Sequence, residues 1–210
     1  MKKNYSYYLK FSDKFTLIKG DTLKTLDEFE TDYFDVLITS PPYGDNATTV
    51  TYGQFSILIL LWINKSDLEL DGWEFDNFSK IDHESIGGYY KNNKSEEYKS
   101  YIQELIERIN NAEKSKKVEI FFYDYFSFLN IARRVTRDYI IMTLGNRTVN
   151  GVNIELVDFT KEYLLNYNFD LVYEGKRNIY SKRTPKIISI NNGRPIYSMN
   201  EEYVVIFKKH

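Results

Sequence analysis

An α/β fold is predicted by three observations. Phe34 to Thr39 (Phe-Asp-Val-Leu-Ile-Thr) and Asp138 to Leu144 (Asp-Tyr-Ile-Ile-Met-Thr-Leu) are strand patterns that are apolar at most positions. Strands apolar on both faces are typical of the centre of a parallel sheet covered by helices. Between them, Tyr98, Tyr101, Ile102, Leu105, Ile106 and Ile109 recur at spacings of three and four, which predicts an amphipathic helix from Ser95 to Ala112. A chain of 210 residues predicts one domain.

The remaining elements follow in order. Phe15 to Ile18 reads as a short strand, and Gly20-Asp21-Thr22 marks a turn into a brief helix through Leu26. Ser40 to Thr51 is a polar loop, and Gln54 to Asn64 then predicts a helix apolar on most sides, hence buried. Lys65 to Lys94 lacks a period and holds Gly72, Gly87 and Gly88, so it reads as a long irregular insertion, of the kind that is usually functional or mobile. A second helix runs from about Val118 to Arg134, and a third from Asp158, an N-cap candidate, to Asn166. Phe169 to Glu174 and Tyr203 to Lys208 close the chain as strands, joined by a loop with Lys182, Arg183, Pro185, Lys186 and Arg194.

Composition removes several chemistries. The absence of Cys excludes disulfide scaffolds, Cys-ligated metals and thiolate nucleophiles. With only His83 and His210, a His-ligated metal centre or a Ser-His triad has almost no material. Met1-Lys2-Lys3 is followed by polar and aromatic residues, so no signal peptide is expected, and the run from Phe55 to Ile63 is too short to span a bilayer. A cytoplasmic location is expected. Aromatics reach 17%, which fits coding bias and selection for base stacking about equally.

The feature richest in chemistry is Thr39-Ser40-Pro41-Pro42-Tyr43-Gly44-Asp45, at the carboxyl end of a strand. That edge is where open α/β sheets place ligands. Two consecutive prolines fix φ and remove two backbone donors, leaving the Ser40 and Pro41 carbonyls as acceptors in a rigid turn. Acceptors are what the exocyclic amine of a base requires. Its lone pair is delocalised into the ring, and hydrogen bonds from its N–H groups to a hydroxyl and a carbonyl favour the tetrahedral nitrogen of the transition state. Tyr43 would stack on the base.

These residues resemble the SPPY branch of the S-adenosylmethionine-dependent DNA amino-methyltransferases, which act on cytosine N4 or adenine N6. Ser40-Pro41-Pro42-Tyr43-Gly44-Asp45, Thr48-Thr49-Val50, Tyr52-Gly53-Gln54-Phe55-Ser56, Gly145-Asn146-Arg147-Thr148-Val149, Met199-Asn200 and Glu202-Tyr203 all look like that family. The resemblance implies a Rossmann-like methyltransferase sheet with an antiparallel C-terminal hairpin. In it Phe15 to Ile18 would be the third strand, Phe34 to Thr39 the fourth and Asp138 to Leu144 the fifth. It also implies S-adenosylmethionine as cofactor, DNA as partner and a place in restriction-modification, with Ser before Pro-Pro-Tyr favouring cytosine N4. Adenine-N6 or RNA-base specificity, and a non-catalytic DNA-binding subunit, stay open as alternatives.

By this resemblance Ser40 and the Pro41 carbonyl accept from the amine, Pro42 holds the turn, and Tyr43 stacks. Asp45 assists the amine or orders the loop. Asp21 accepts from the cofactor's adenine, with an ordinary helix N-cap as the competing reading. Asn146 and Arg147 contact the flipped base or its phosphate, against a satisfied turn with Arg147 in a surface ion pair. Lys182, Arg183 and Lys186 meet DNA phosphates, against a solvated loop. Base reading falls to the insertion, with Trp73, His83, Tyr89 or Tyr90; for Trp73 an anchoring role is favoured.

The chain departs from the family in one respect. Of its ten glycines no two are separated by a single residue, so the Gly-x-Gly cofactor turn is absent. The first strand-helix-strand unit, roughly 30 or more residues, has no counterpart either. The sheet is therefore expected to be partial, completed by a second subunit carrying that loop or by a homo-oligomer.

Overall fold

The computed structural model describes residues 16, 18, 20–44, 52–62, 79–87, 96–178, 187–191, 194–197 and 201–210. Four strands form the main sheet: β1 (Phe34–Thr39), β2 (Thr136–Leu144), β5 (Phe169–Asn178) and β8 (Glu201–Lys209), in the order β1-β2-β8-β5. β1 and β2 are parallel, whereas β8 runs antiparallel to both β2 and β5. The α/β expectation is borne out, with a mixed sheet. Two short hairpins stand apart from it, β3 (Arg147–Val149) with β4 (Val152–Ile154), and β6 (Ile187–Asn191) with β7 (Arg194–Tyr197). Neither hairpin was expected: one lies just after the Gly-Asn-Arg turn, the other inside the basic loop.

The described helices are α1 (Thr22–Asp27), α2 (Tyr52–Trp62), α3 (Ser79–Glu84), α4 (Glu96–Ile109), α5 (Ala112–Val135) and α6 (Leu156–Leu165). α4 matches the amphipathic prediction. It ends at Asn110, whose φ of 46° breaks the helical path, and Asn111 then caps α5 by accepting from the Lys114 amide at 3.0 Å. α5 therefore starts six residues before the expected Val118, and the lysine run 114–117 lies in its first turns. An N-cap followed by helix-compatible charges outweighs the lack of apolar residues there. α6 also begins earlier than expected. Asp158 lies in its first turn, paired with Lys161 at 2.8 Å.

The core is the contact between α5 and one face of the sheet. Val118, Phe121, Phe122, Tyr125, Phe126, Leu129, Ala132 and Val135 are buried along α5, with Ile140, Met142 and Leu144 of β2 and Val205 and Phe207 of β8. The register aligns Ile140 with Phe207 and Met142 with Val205, so these side chains share one face. α4 adds Ile102, Leu105 and Ile109, and α6 adds Leu156, Val157, Tyr163 and Leu164. Within this apolar layer Thr160 Oγ1 donates to the Leu156 carbonyl at 2.7 Å. Its single proton being used, it accepts from the Tyr125 hydroxyl at 2.7 Å. Burial raises the Tyr125 phenol far above its usual range, so it remains a donor.

α5 passes into β2 without a loop. Thr136, in extended conformation, donates both its amide and its hydroxyl to Ala132 O, the latter at 2.7 Å. Around this joint Arg134 donates to Phe29 O at 2.6 Å and to Asp27, and Lys209 donates to Asp32 Oδ1 at 2.6 Å and to the Arg133 and Thr136 carbonyls. These bonds lock the amino end of β1 to the body of the domain.

Two expectations of burial are corrected. β1 is the edge of the described sheet rather than its centre, and its outer residues Val36 and Ile38 are exposed, Ile38 to 75%. α2 is likewise exposed, with Phe55, Leu58, Ile59, Leu61 and Trp62 at 60–91%. Its apolar composition predicts a cover that the described residues do not supply. The strand expected at Phe15 to Ile18 lies largely outside the described residues. The insertion is not irregular throughout: α3 lies within it, and buried Asp82 accepts from the Gly53 amide at 3.0 Å, tying α3 to the start of α2. The Gly87 amide, bonded to Asp124 at 2.8 Å, ties the same segment to α5.

The Tyr125–Thr160 pair generates a stability prediction. Thr160→Val leaves the Tyr125 hydroxyl buried without its partner and is expected to cost about 1–3 kcal/mol. Adding Tyr125→Phe should recover part of that loss. Urea denaturation of the single and double variants checks both.

Candidate active site

The site residues come together through the sheet topology. β1 and β2 are parallel, so the Ser40–Gly44 loop and the Gly145-Asn146-Arg147 turn leave the same edge. β8 begins at this edge, with Tyr203 opposite Leu144. β5 ends there, with Arg177 opposite Glu202. Four separate segments thus converge beyond the carboxyl ends of the parallel pair, where α/β sheets place ligands.

Ser40 is exposed, Pro41 and Gly44 are buried, and Pro42 and Tyr43 are half-buried. The Tyr43 hydroxyl donates to Glu202 Oε1 at 3.1 Å. The other carboxylate oxygen, Oε2, is paired with the Arg177 guanidinium. Partial burial, helped by the Glu202 charge, pushes the Tyr43 phenol above its usual value, with the nearby Ser40 hydroxyl and the Arg177 charge opposing the rise. The phenol stays protonated at neutral pH.

Gly44 is where the second strand's turn meets the loop. A Cβ on Gly44 would collide with the Arg147 guanidinium, so the arginine lies directly against the loop backbone. Asn146 has a different neighbour: its Oδ1 accepts from the Val157 amide at 3.1 Å. α6 has no side-chain cap from Glu155, the residue before it, and Asn146 satisfies one of its first amides instead.

Asp21 caps α1, its Oδ1 accepting from the Leu23 amide at 3.0 Å. This is the N-cap geometry, the competing reading of that residue. Asp45, Lys182, Arg183 and Lys186 lie outside the described residues, as do Trp73, Tyr89 and Tyr90. His83 is exposed on α3. Among the described residues no group of three His, Asp or Glu could hold a metal ion, and no helix is long and apolar enough to cross a membrane. Sequence reasoning quoted Glu202 without a role and missed Arg177 as its partner; only the β5–β8 register sets these residues side by side.

The class of protein these features define is an α/β domain with a proline-rigidified acceptor loop at the ligand edge of its sheet. No family model matches the chain. It is similar to the Type II methyltransferase M.MvaI of Kocuria varians, 29% identical over 212 residues that cover 95% of this chain and 46% of that protein. The chain thus spans about half the length of the curated relative it matches. A solved structure described as a DNA modification methylase from Thermus thermophilus aligns over 90% of this chain and 50% of its own, with 14% identity and a TM-score of 0.38. The resemblance to DNA methyltransferases carried by the sequence motifs therefore extends over nearly the whole chain.

The contact between Gly44 and Arg147 can be tested directly. Gly44→Ala should displace the flexible Arg147 side chain and, at a buried position, cost about 0.5–3 kcal/mol of stability. If Arg147 meets a phosphate, DNA affinity should fall and the salt dependence of binding should become shallower by about one counterion. Fluorescence anisotropy at several salt concentrations reads both.

Proposed function

We propose that this chain is the base-binding part of a DNA amino-methyltransferase that transfers methyl from S-adenosylmethionine to the exocyclic amine of a flipped base, with cytosine N4 favoured. The observation that carries the reading is the Ser40-Pro41-Pro42-Tyr43 loop at the carboxyl edge of parallel β1, in a chain similar along 95% of its length to a Type II methyltransferase.

The chemistry assigned to the chain's own residues is short. When bound, S-adenosylmethionine supplies an electrophilic methyl group. Ser40 Oγ and the Pro41 carbonyl accept from the two N–H groups of the target amine and draw its nitrogen toward tetrahedral geometry. The ring of Tyr43 stacks on the extruded base, replacing part of the stacking lost from the duplex. Arg147, with Lys182, Arg183 and Lys186, meets the backbone. Asn146 and Asp45 support the turns that carry these groups. The chain serves modification beside a restriction enzyme.

The cofactor's cradle is a different matter. The chain has no Gly-x-Gly turn, and Asp21, its one candidate for the adenine, already uses Oδ1 on its own helix. The residues present do not by themselves fit the cofactor. A companion must bring that loop, as a second polypeptide or as further sequence of a longer protein. The surface that would receive it is the side of the described sheet where β1 is the last strand, with Val36 and Ile38 exposed on its face, together with the exposed apolar residues of α2. Unpaired strand edges are otherwise a liability, and apolar patches of this kind mark interaction sites.

Three measurements test this reading. Ser40→Ala is expected to lower kcat on the order of 100-fold with DNA binding intact; unchanged methylation would remove this loop from catalysis. Calorimetric titration of S-adenosylmethionine should give binding only when the companion is present, and tight binding to the chain alone would defeat the missing-cradle argument. Ile38→Lys should abolish assembly with the companion in gel filtration and leave the far-ultraviolet dichroism of the chain unaltered.

A further inference from the structure

Glu202 is a charged group beside the loop that nothing in the function above uses. It stands near the start of β8, opposite Arg177 of β5, and its side chain is 16% exposed, against 68% for Arg177. One carboxylate oxygen takes the Tyr43 proton at 3.1 Å and the other takes the Arg177 guanidinium. Both partners are therefore committed to it from opposite sides. A carboxylate can only accept, so Tyr43 donates to Glu202.

We propose that Glu202, held by Arg177, is a positioning residue for the base pocket, fixing the Tyr43 ring. This rests on the base-binding reading of the preceding subsection and adds what orients it. A side chain with two free torsions would otherwise sample several ring orientations, and the entropy of ordering it would fall on the base-bound state. Anchoring the phenol at its far end removes that freedom before the base arrives. Arg177 keeps the carboxylate charged and stationary; its own guanidinium lies at the rim and touches no reacting atom.

The test is a double-mutant cycle on methyl transfer to unmethylated DNA, with the companion supplied, together with a spectroscopic readout on the chain alone. Glu202→Ala is expected to lower kcat by up to about 100-fold, the scale of a misplaced reacting group, with KM for DNA little changed. Glu202→Gln, which retains an acceptor oxygen, should recover most of the loss. Tyr43→Phe should fall by a similar factor, and Tyr43→Phe with Glu202→Ala should fall no further, since coupled residues are not additive. In the ¹⁹F spectrum of the chain carrying 3-fluorotyrosine at position 43, Glu202→Ala should move the phenol titration to lower pH. Additive losses, a Gln variant as poor as Ala, or an unmoved titration would each overturn the proposal. Full activity of both Ser40→Ala and Tyr43→Ala would overturn it by removing the base pocket itself; loss in those two with wild-type behaviour of Glu202→Ala would overturn the positioning role alone. Should Glu202→Ala fail to fold, Arg177→Ala takes its place: its smaller loss must vanish in the Tyr43→Phe background, and its persistence there overturns the proposal.

Discussion

The rest of the structure depends on the burial of α5 against one face of the sheet. This single helix contributes nine buried hydrophobic residues and passes straight into β2. With α5 seated, the register of β2 with β1 on one side and β8 on the other follows from which side chains can enter the apolar layer. A slip of one residue would bring Tyr139 or Ile141 inward in place of Ile140 and Met142. Each such side chain buried contributes roughly 1.5–3 kcal/mol, so the register is held by several of them together. The site inherits that register, because Tyr43, Arg147, Arg177 and Glu202 all lie within a few residues of strand ends.

The opposite face is not held in the same way. Val36 and Ile38 are exposed, and Tyr139, Ile141, Thr143, Val204 and Ile206, which share that face by register, are not buried. A sheet with parallel strands needs cover on both sides. The described residues cover one. This imbalance, together with exposed α2, is the structural side of a sequence that matches about half of its relative's length.

Polarity at the site is organised differently from the core. The loop offers acceptors made rigid by two prolines, and behind it a carboxylate bound on one side by Arg177 and on the other by Tyr43. Pairing the carboxylate with a guanidinium offsets its desolvation, and the phenol bond converts that fixed charge into orientation of a ring. Arg147 packs on Gly44 from the neighbouring turn. Electrostatics here orients groups of the loop, and the stability of the domain rests elsewhere, on the aromatic layer of α5.

The sequence by itself determined the α/β class, α4, the positions of β1 and β2, and the loop at Ser40 to Gly44, because periodicity, proline geometry and motif spacing are local properties of the chain. Helix starts were less legible: α5 begins at an Asn cap with no apolar signal, and α6 takes its first hydrogen bond from Asn146, eleven residues before Val157. Exposure was not legible at all. An apolar strand and an apolar helix read as buried, and whether β1 and α2 are covered depends on which neighbours are present. Only the tertiary structure decided that Glu202 and Arg177 stand behind Tyr43, since 159 residues separate Tyr43 from Glu202 and nothing but the β2–β8–β5 register brings them together.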